Sequence, residues 1–179
     1  MKIVILNGNP DPDNSPFDEY LANLYRILDD GINTARILTL RGMNIHHCIG
    51  CFDCWYKTPG ICIFKDDMKE VCREYINSDF VIFASPIIMG FTSSLLKKTT
   101  DRLIPLGQPY GNIVKGKLIH VKRYFQYPPL GLILDHEIDT DKDDIKIINN
   151  LYSDISTMFF SRLMFTSLLG GYSLWPSRR

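Results

Sequence analysis

A short run at the start of the chain, Lys2-Ile3-Val4-Ile5-Leu6, constrains the fold more than any other feature. It is apolar, rich in β-branched residues and bounded by turn-formers, so it reads as a strand buried on both faces. Asn7-Gly8-Asn9-Pro10 ends it, and 11–14 is all turn-former. Ser15 is read as the N-cap of the next helix, with Pro16 at its first position. That helix runs to Leu28, with Phe17, Leu21, Leu24 and Leu28 on one face. A buried strand, a loop of small residues and a helix N-terminus make a site for an anion, because free N–H groups and the positive end of the helix dipole face the loop. The loop has no G-x-G-x-x-G and no GK[ST], so the dinucleotide and P-loop fingerprints are absent.

The same alternation continues along the chain. Strand patterns are read at 34–40, 80–84, 117–121 and 163–168, and helix patterns at 68–76, 94–104 and 141–160. The segment around Tyr127-Pro128-Pro129 and Gly131 reads as a loop. This order implies one α/β domain over 1–179: a five-stranded parallel sheet, order 2-1-3-4-5, with helices on both faces in three layers. Ligands of such sheets bind beyond the carboxyl ends of the strands where the order reverses. Here that point lies between the first and third strands, so the loop 7–17 and the apolar, glycine-containing loop 85–92 form the two walls of one crevice.

The chain has 179 residues, with 20 Lys+Arg against 20 Asp+Glu. That balance leaves no electrostatic footprint for nucleic acid or an anionic membrane. No apolar run approaches the ~20 residues that span a bilayer. The N-terminus enters a strand directly, without a signal segment. The expectation is a cytoplasmic protein with reduced thiols.

Four of the five cysteines lie in one long irregular segment, 44–65. Their spacing is Cys48-x2-Cys51-x2-Cys54-x7-Cys62. Two-residue gaps let three thiolates converge, and a fourth from beyond a turn completes a set with the spacing of a [4Fe–4S] site. Zinc also takes four cysteines, although structural zinc sites more often pair two distant C-x2-C units. The third reading is a packed flap in which the cysteines are small buried residues, and Trp55-Tyr56 and the x7 gap fit it as well as they fit a cluster shell. The flap is the reading preferred on sequence grounds. Cys72, within a helix, reads as core, and His46 and His47 as ordinary histidines. No Ser-His-Asp arrangement stands out, and no catalytic side chain is assigned.

Three motifs in order, N-G-N-P with N-S-P-F-D-E-Y-L, then C-I-G-C-F-D-C-W with P-G-I-C-I-F-K-D-D-M, then D-F-V-I-F-A-S-P-I-I-M-G-F with L-K-K and D-R-L, resemble the flavodoxin-like NAD(P)H-dependent FMN reductases. The branch that includes iron–sulfur flavoproteins is the most similar, and the resemblance covers roughly 1–105. It implies that Asn9, Asn14, Ser15, Pro16 and Phe17 hold the FMN phosphate, and that Pro86, Ile87, Ile88, Met89, Gly90 and Phe91 lie along the isoalloxazine ring. It implies an oxidoreductase that takes hydride from NAD(P)H and passes electrons to a quinone, a flavin or a similar small acceptor. The alternatives are a flavin electron carrier, with or without a cluster, acting on a protein partner, and a flavin-free binding domain. Two departures from the family's pattern stand out: Asp11 and Asp13 stand where Arg or Lys is common, and Ile88 where Tyr is common. A homodimer is expected, from the way such reductases pair and from the aromatic stretches 124–127 and 172–175.

Overall fold

The computed structural model describes residues 1–114, 116–169 and 172–174. In chain order its elements are β1 (Lys2–Asn7), α1 (Ser15–Leu28), β2 (Thr34–Thr39), α2 (Asp53–Tyr56), α3 (Met68–Ile76), β3 (Phe80–Ile88), β4 (Phe91–Thr92), α4 (Ser94–Asp101), β5 (Gly107–Val114), β6 (Lys117–Lys122), β7 (Leu130–Asp135), α5 (Lys142–Met158), β8 (Leu163–Leu168) and β9 (Tyr172–Leu174). Single 3₁₀ turns stand at Leu40–Gly42 and Ile104–Leu106.

Five strands are parallel in the order β2-β1-β3-β7-β8, the 2-1-3-4-5 sense expected from the sequence. Alternate residues of each central strand enter opposite cores. Val4, Leu6, Val81, Phe83, Leu130, Leu132 and Leu134 face one layer, with Met68, Val71 and Tyr75 of α3, Leu96 of α4, and Ile148 and Tyr152 of α5. Ile3, Ile5, Ile82, Ala84 and Ile133 face the other, with Phe17 and Leu21 of α1. Burial on both faces is what makes these runs apolar at every position.

Three expectations need correction. The fourth parallel strand is β7, at Leu130–Asp135, not 117–121. Leu130 to Leu134 is fully buried, whereas Lys117–Lys122 pairs antiparallel with β5 in a separate two-stranded hairpin. Pro128 and Pro129 made this stretch look like loop, but they lie just ahead of the strand, where a missing N–H disturbs no ladder; the Pro129 carbonyl even accepts from the Val81 N–H at 3.1 Å. Second, the sheet gains antiparallel additions, β9 on β8 and β4 on the end of β3. Third, the cap of α1 is Asn14, whose side chain accepts from the Phe17 N–H, so Ser15 opens the helix and Pro16 follows inside its first turn.

Candidate functional site

Three connections meet at the carboxyl edge of the sheet, where the crevice is expected. The first is the β1–α1 loop. The second, expected as a loop, is a tight hairpin: β3 continues through Ile88, turns at Met89 and Gly90, and returns as β4 with Ile88 opposite Phe91. Both turn residues have positive φ, 53° and 72°, which is the type I′ geometry that suits strand twist. The third is the β7–α5 loop.

Hydrogen bonds join them. Ser93 Oγ donates to the Gly8 carbonyl at 2.5 Å, and the Ser93 N–H donates to Ser85 Oγ at 2.8 Å, so the buried Ser93 hydroxyl fastens the hairpin to the first loop and the buried Ser85 hydroxyl closes the hairpin's base. The Met89 N–H donates to Glu137 Oε2 at 2.9 Å, and Asn14 Nδ2 reaches Asp135 Oδ2 at 3.4 Å. The structure thus brings Asn9, Asn14, Ser15, Pro16 and Phe17 to one wall, and Pro86 to Phe91 to the other. Ile88 and Met89 are exposed, Met89 at 92%, and Ile87 is buried at 2% in the core rather than bordering the open end.

Each N–H from Gly8 to Asp18 already has an internal acceptor. Asn7, Asn9 and Asp11 side chains accept from Asn9, Asp11 and Asp13 N–H groups in succession. Only the N–H groups of Phe17 and Asp18 are held loosely, both by Asn14 at 3.4 Å. Asn14 therefore stands in, at the helix N-terminus, for the acceptor an anion would supply. The exposed Ser15, at that same N-terminus, and the loosely held donors fit a phosphate once Asn14 yields. Asp11 and Asp13 are exposed, the condition under which their charges are tolerable near an anion.

Behind this loop, Asp18 accepts from Arg41 at 2.6 Å, from Asn7 at 2.8 Å and from Asn9 at 3.2 Å. Burial raises its pKa, but the hydrogen bonds from Arg41, Asn7 and Asn9 outweigh that and hold the carboxyl below the ordinary 3.8. Asn9, fully buried, is thus a strut of the loop as built.

The cysteine segment forms a second site. Cys48, Cys51, Cys54 and Cys62 border one cavity of about 20 Å³, with Phe64, Arg102 and Ile104 among the other lining residues. Left-handed backbone at Gly50 and Phe52 curls the C-x2-C-x2-C stretch around it. Burial, then the neighbouring Cys62, Cys51 and Cys48 thiols, push Cys54 up to about 11, so without a ligand it remains a thiol at neutral pH. Among the described residues no group of three or more His, Cys, Asp or Glu side chains forms a ready-made single-ion site, so the four sulfurs share a cavity without converging on a point. The set still fits an anionic, sulfur-bound group on one further observation: Arg102, 2% exposed at the cavity wall, has an Nε–H with no partner. Cys72 packs with the core, as expected. Trp55 donates to the Ile104 carbonyl at 3.2 Å and packs on His120 at 4.8 Å, tying the segment to the β5–β6 hairpin.

Sequence reasoning missed Ser85, Ser93, Arg41, Asp18 and Arg102. Ser93 carried a signal, since it is the N-cap of α4. The others meet their partners only through the fold.

A parallel sheet of this strand order, with helices on both faces and its loops gathered at the carboxyl edge, defines a protein of the flavodoxin-like fold. Residues 1–125 match the NADPH-dependent FMN reductase family, and the chain belongs to that family. It is 32% identical over 106 residues to an iron–sulfur flavoprotein of Methanocaldococcus jannaschii, covering 59% of this chain and 53% of that protein. It is 36% identical over 105 residues to an iron–sulfur flavoprotein of Clostridioides difficile, covering 57% and 45%. The chain thus spans about half the length of the curated relatives it matches. Among solved structures, RosB with a bound 8-demethyl-8-formylriboflavin-5′-phosphate superposes with a TM-score of 0.67 at 12% identity, covering 97% of this chain and 68% of that one. An FMN-dependent NADH-azoreductase of Bacillus anthracis in complex with FMN gives 0.62 at 10% identity, covering 93% and 86%. At those identities the likeness is one of fold.

Proposed function

We propose that this chain is an FMN-dependent oxidoreductase that takes reducing equivalents from NAD(P)H and delivers them to a small acceptor such as a quinone or a flavin. In this reading Asn14, Ser15, Pro16 and Phe17 receive the FMN phosphate at the α1 N-terminus, with Asn9 bracing the loop. Pro86, Ile88, Met89, Gly90 and Phe91 border the ring, with Ile87 anchoring the hairpin from the core. FMN supplies the chemistry, hydride acceptance and onward electron transfer. The chain's own residues orient it: the bonds of Gly8 with Ser93 and Ala84 fix the hairpin against the first loop, and the exposed apolar hairpin keeps water off one face. No side-chain acid or base is assigned.

The same reading places a [4Fe–4S] cluster on Cys48, Cys51, Cys54 and Cys62. The observation that carries it is four cysteines around one cavity with an unpartnered buried donor in its wall. The names of the relatives agree with it. A packed flap of structural cysteines requires no such donor.

A homodimer remains part of the reading, with the surface revised. Tyr127 is buried, so the 124–127 stretch offers Tyr124 and Phe125. Residue 175 and the side chains of 172–174 lie outside the described residues. The β5–β6 hairpin is the more exposed apolar surface, with Tyr110, Ile113, Val114 and Leu118 from 44% to 79% exposed.

The test is a steady-state assay of NADH and NADPH oxidation with a quinone, alongside titration of the apo-protein with FMN. Quenching of FMN fluorescence, a raised melting temperature and acceptor-dependent turnover are expected. Saturating FMN that changes neither fluorescence nor melting temperature removes the basis of the reading.

A further inference from the structure

Arg102 heads the fully buried side chains in size, in a chain where buried charge is rare. Its guanidinium donates from one terminal nitrogen to the His46 carbonyl at 2.6 Å and to Asp66 Oδ2 at 2.9 Å, and from the other to Asp66 Oδ1 at 3.0 Å. Asp66 in turn accepts from the His46 N–H at 2.9 Å. The Phe64 ring lies against the guanidinium, 5.2 Å from its carbon. This would be a closed, satisfied pair except for Nε, which is buried and has no hydrogen-bond acceptor among the described residues.

Buried N–H groups are seldom left unpaired, because the loss of water is then uncompensated. The cavity that Arg102 lines is bordered by the four sulfurs, and of these Cys62 is the one within reach of the guanidinium, which it helps to keep charged alongside Asp66. Other charges nearby are accounted for: Asp53 pairs with Lys57 at 3.1 Å, and Lys65, His46 and His47 are exposed.

We propose that Arg102 is the charge-compensating residue of the four-cysteine site: its Nε–H serves a sulfur there, and its charge, partly offset by Asp66, sets the site's reduction potential. This rests on the reading of the four cysteines as cluster ligands. A group held by four thiolates is already anionic, and each added electron makes it more so. A fixed, desolvated cation and an N–H···S hydrogen bond both favour the more negative state, which raises the potential. Asp66 acts in the opposite sense. It also keeps Arg102 in place, with its carboxyl held low by the Arg102 hydrogen bond against the upward push of burial.

The experiment is a potentiometric titration with dithionite of anaerobically prepared protein, followed by low-temperature EPR, with iron measured in each sample. One electron passes from dithionite to the cluster, and no bond is formed or broken. Arg102→Met is expected to lower the midpoint potential, Asp66→Asn to raise it, and Arg102→Lys, which keeps the charge without the Nε fork, to fall between Arg102→Met and wild type. If Arg102→Met does not accumulate, the opposite displacements of Asp66→Asn and Arg102→Lys decide the matter. A purely structural Arg102 would change iron content and melting temperature but leave the potential of the loaded fraction unmoved, and that result overturns the proposal while leaving the cluster in place. Wild-type protein without iron overturns both.

Discussion

Asp18 illustrates how much of the site rests on single residues whose partners no motif names. Its carboxylate is held by Arg41, Asn7 and Asn9, and its pKa is below the usual 3.8. A depressed carboxyl contributes stability that is complete above the unfolded value and is lost as pH falls through the folded one. The melting temperature should therefore drop as pH falls below about 3.8, and Asp18→Asn, already lacking the charge, should show a smaller drop over that range. Equal slopes for the two proteins would contradict the assignment. Ser15 offers a test of the anion site. A carboxylate there lies beside the phosphate, and a like charge at close range in water costs about 1 kcal/mol or more. Ser15→Asp should weaken FMN roughly tenfold by fluorescence titration, and unchanged affinity would move the phosphate elsewhere. The loops that meet at the carboxyl edge were legible because they sit in consecutive motifs. Arg102 and Asp18 were not, because each acts on a partner dozens of residues away or across a loop.

At the level of elements, periodicity identified the strands that are apolar at every position and missed where one of them lay. Leu130 to Leu134 is as apolar as Val4 to Leu6, but the prolines before it and Gly131 within it read as turn chemistry. Gly131 is there for close approach: a Cβ would lie 2.5 Å from the Phe165 ring. Conversely, Lys117–Lys122 has a fair strand pattern and is a strand, but of a hairpin outside the main sheet. A local pattern gives the strand and not its neighbour. The β3–β4 hairpin shows the same limit. Met89 sits in left-handed backbone that an unbranched side chain tolerates at a cost, and Asn prefers it. Met89→Asn should raise stability by about 0.5 kcal/mol. Gly90→Val should lower it sharply, since Gly90 has a φ of 72° and a Cβ there would meet Asp144 at 2.9 Å. Thermal melts of the two variants check both signs. A fall on Met89→Asn would show that the methionine itself is needed at the turn.

Across the molecule, a five-stranded parallel sheet carries α1 on one face and α3, α4 and α5 on the other, and gathers three loops at one edge. Among the described residues no helix is long and apolar enough to cross a membrane. The β5–β6 hairpin, which no further strand joins among the described residues, is the element that a second copy would stabilise, since isolated two-stranded ribbons are marginal. Sedimentation equilibrium should give twice the mass of one chain at micromolar concentration, and Ile113→Lys with Leu118→Lys should return it to the monomer. A monomeric wild type contradicts the pairing. Whether one chain holds both a flavin and a four-cysteine cluster is decided by the composition of protein purified without oxygen. One FMN and about four irons per chain are expected, with the iron lost and the flavin retained in Cys51→Ser. A yellow, iron-free protein from the same preparation would contradict that expectation.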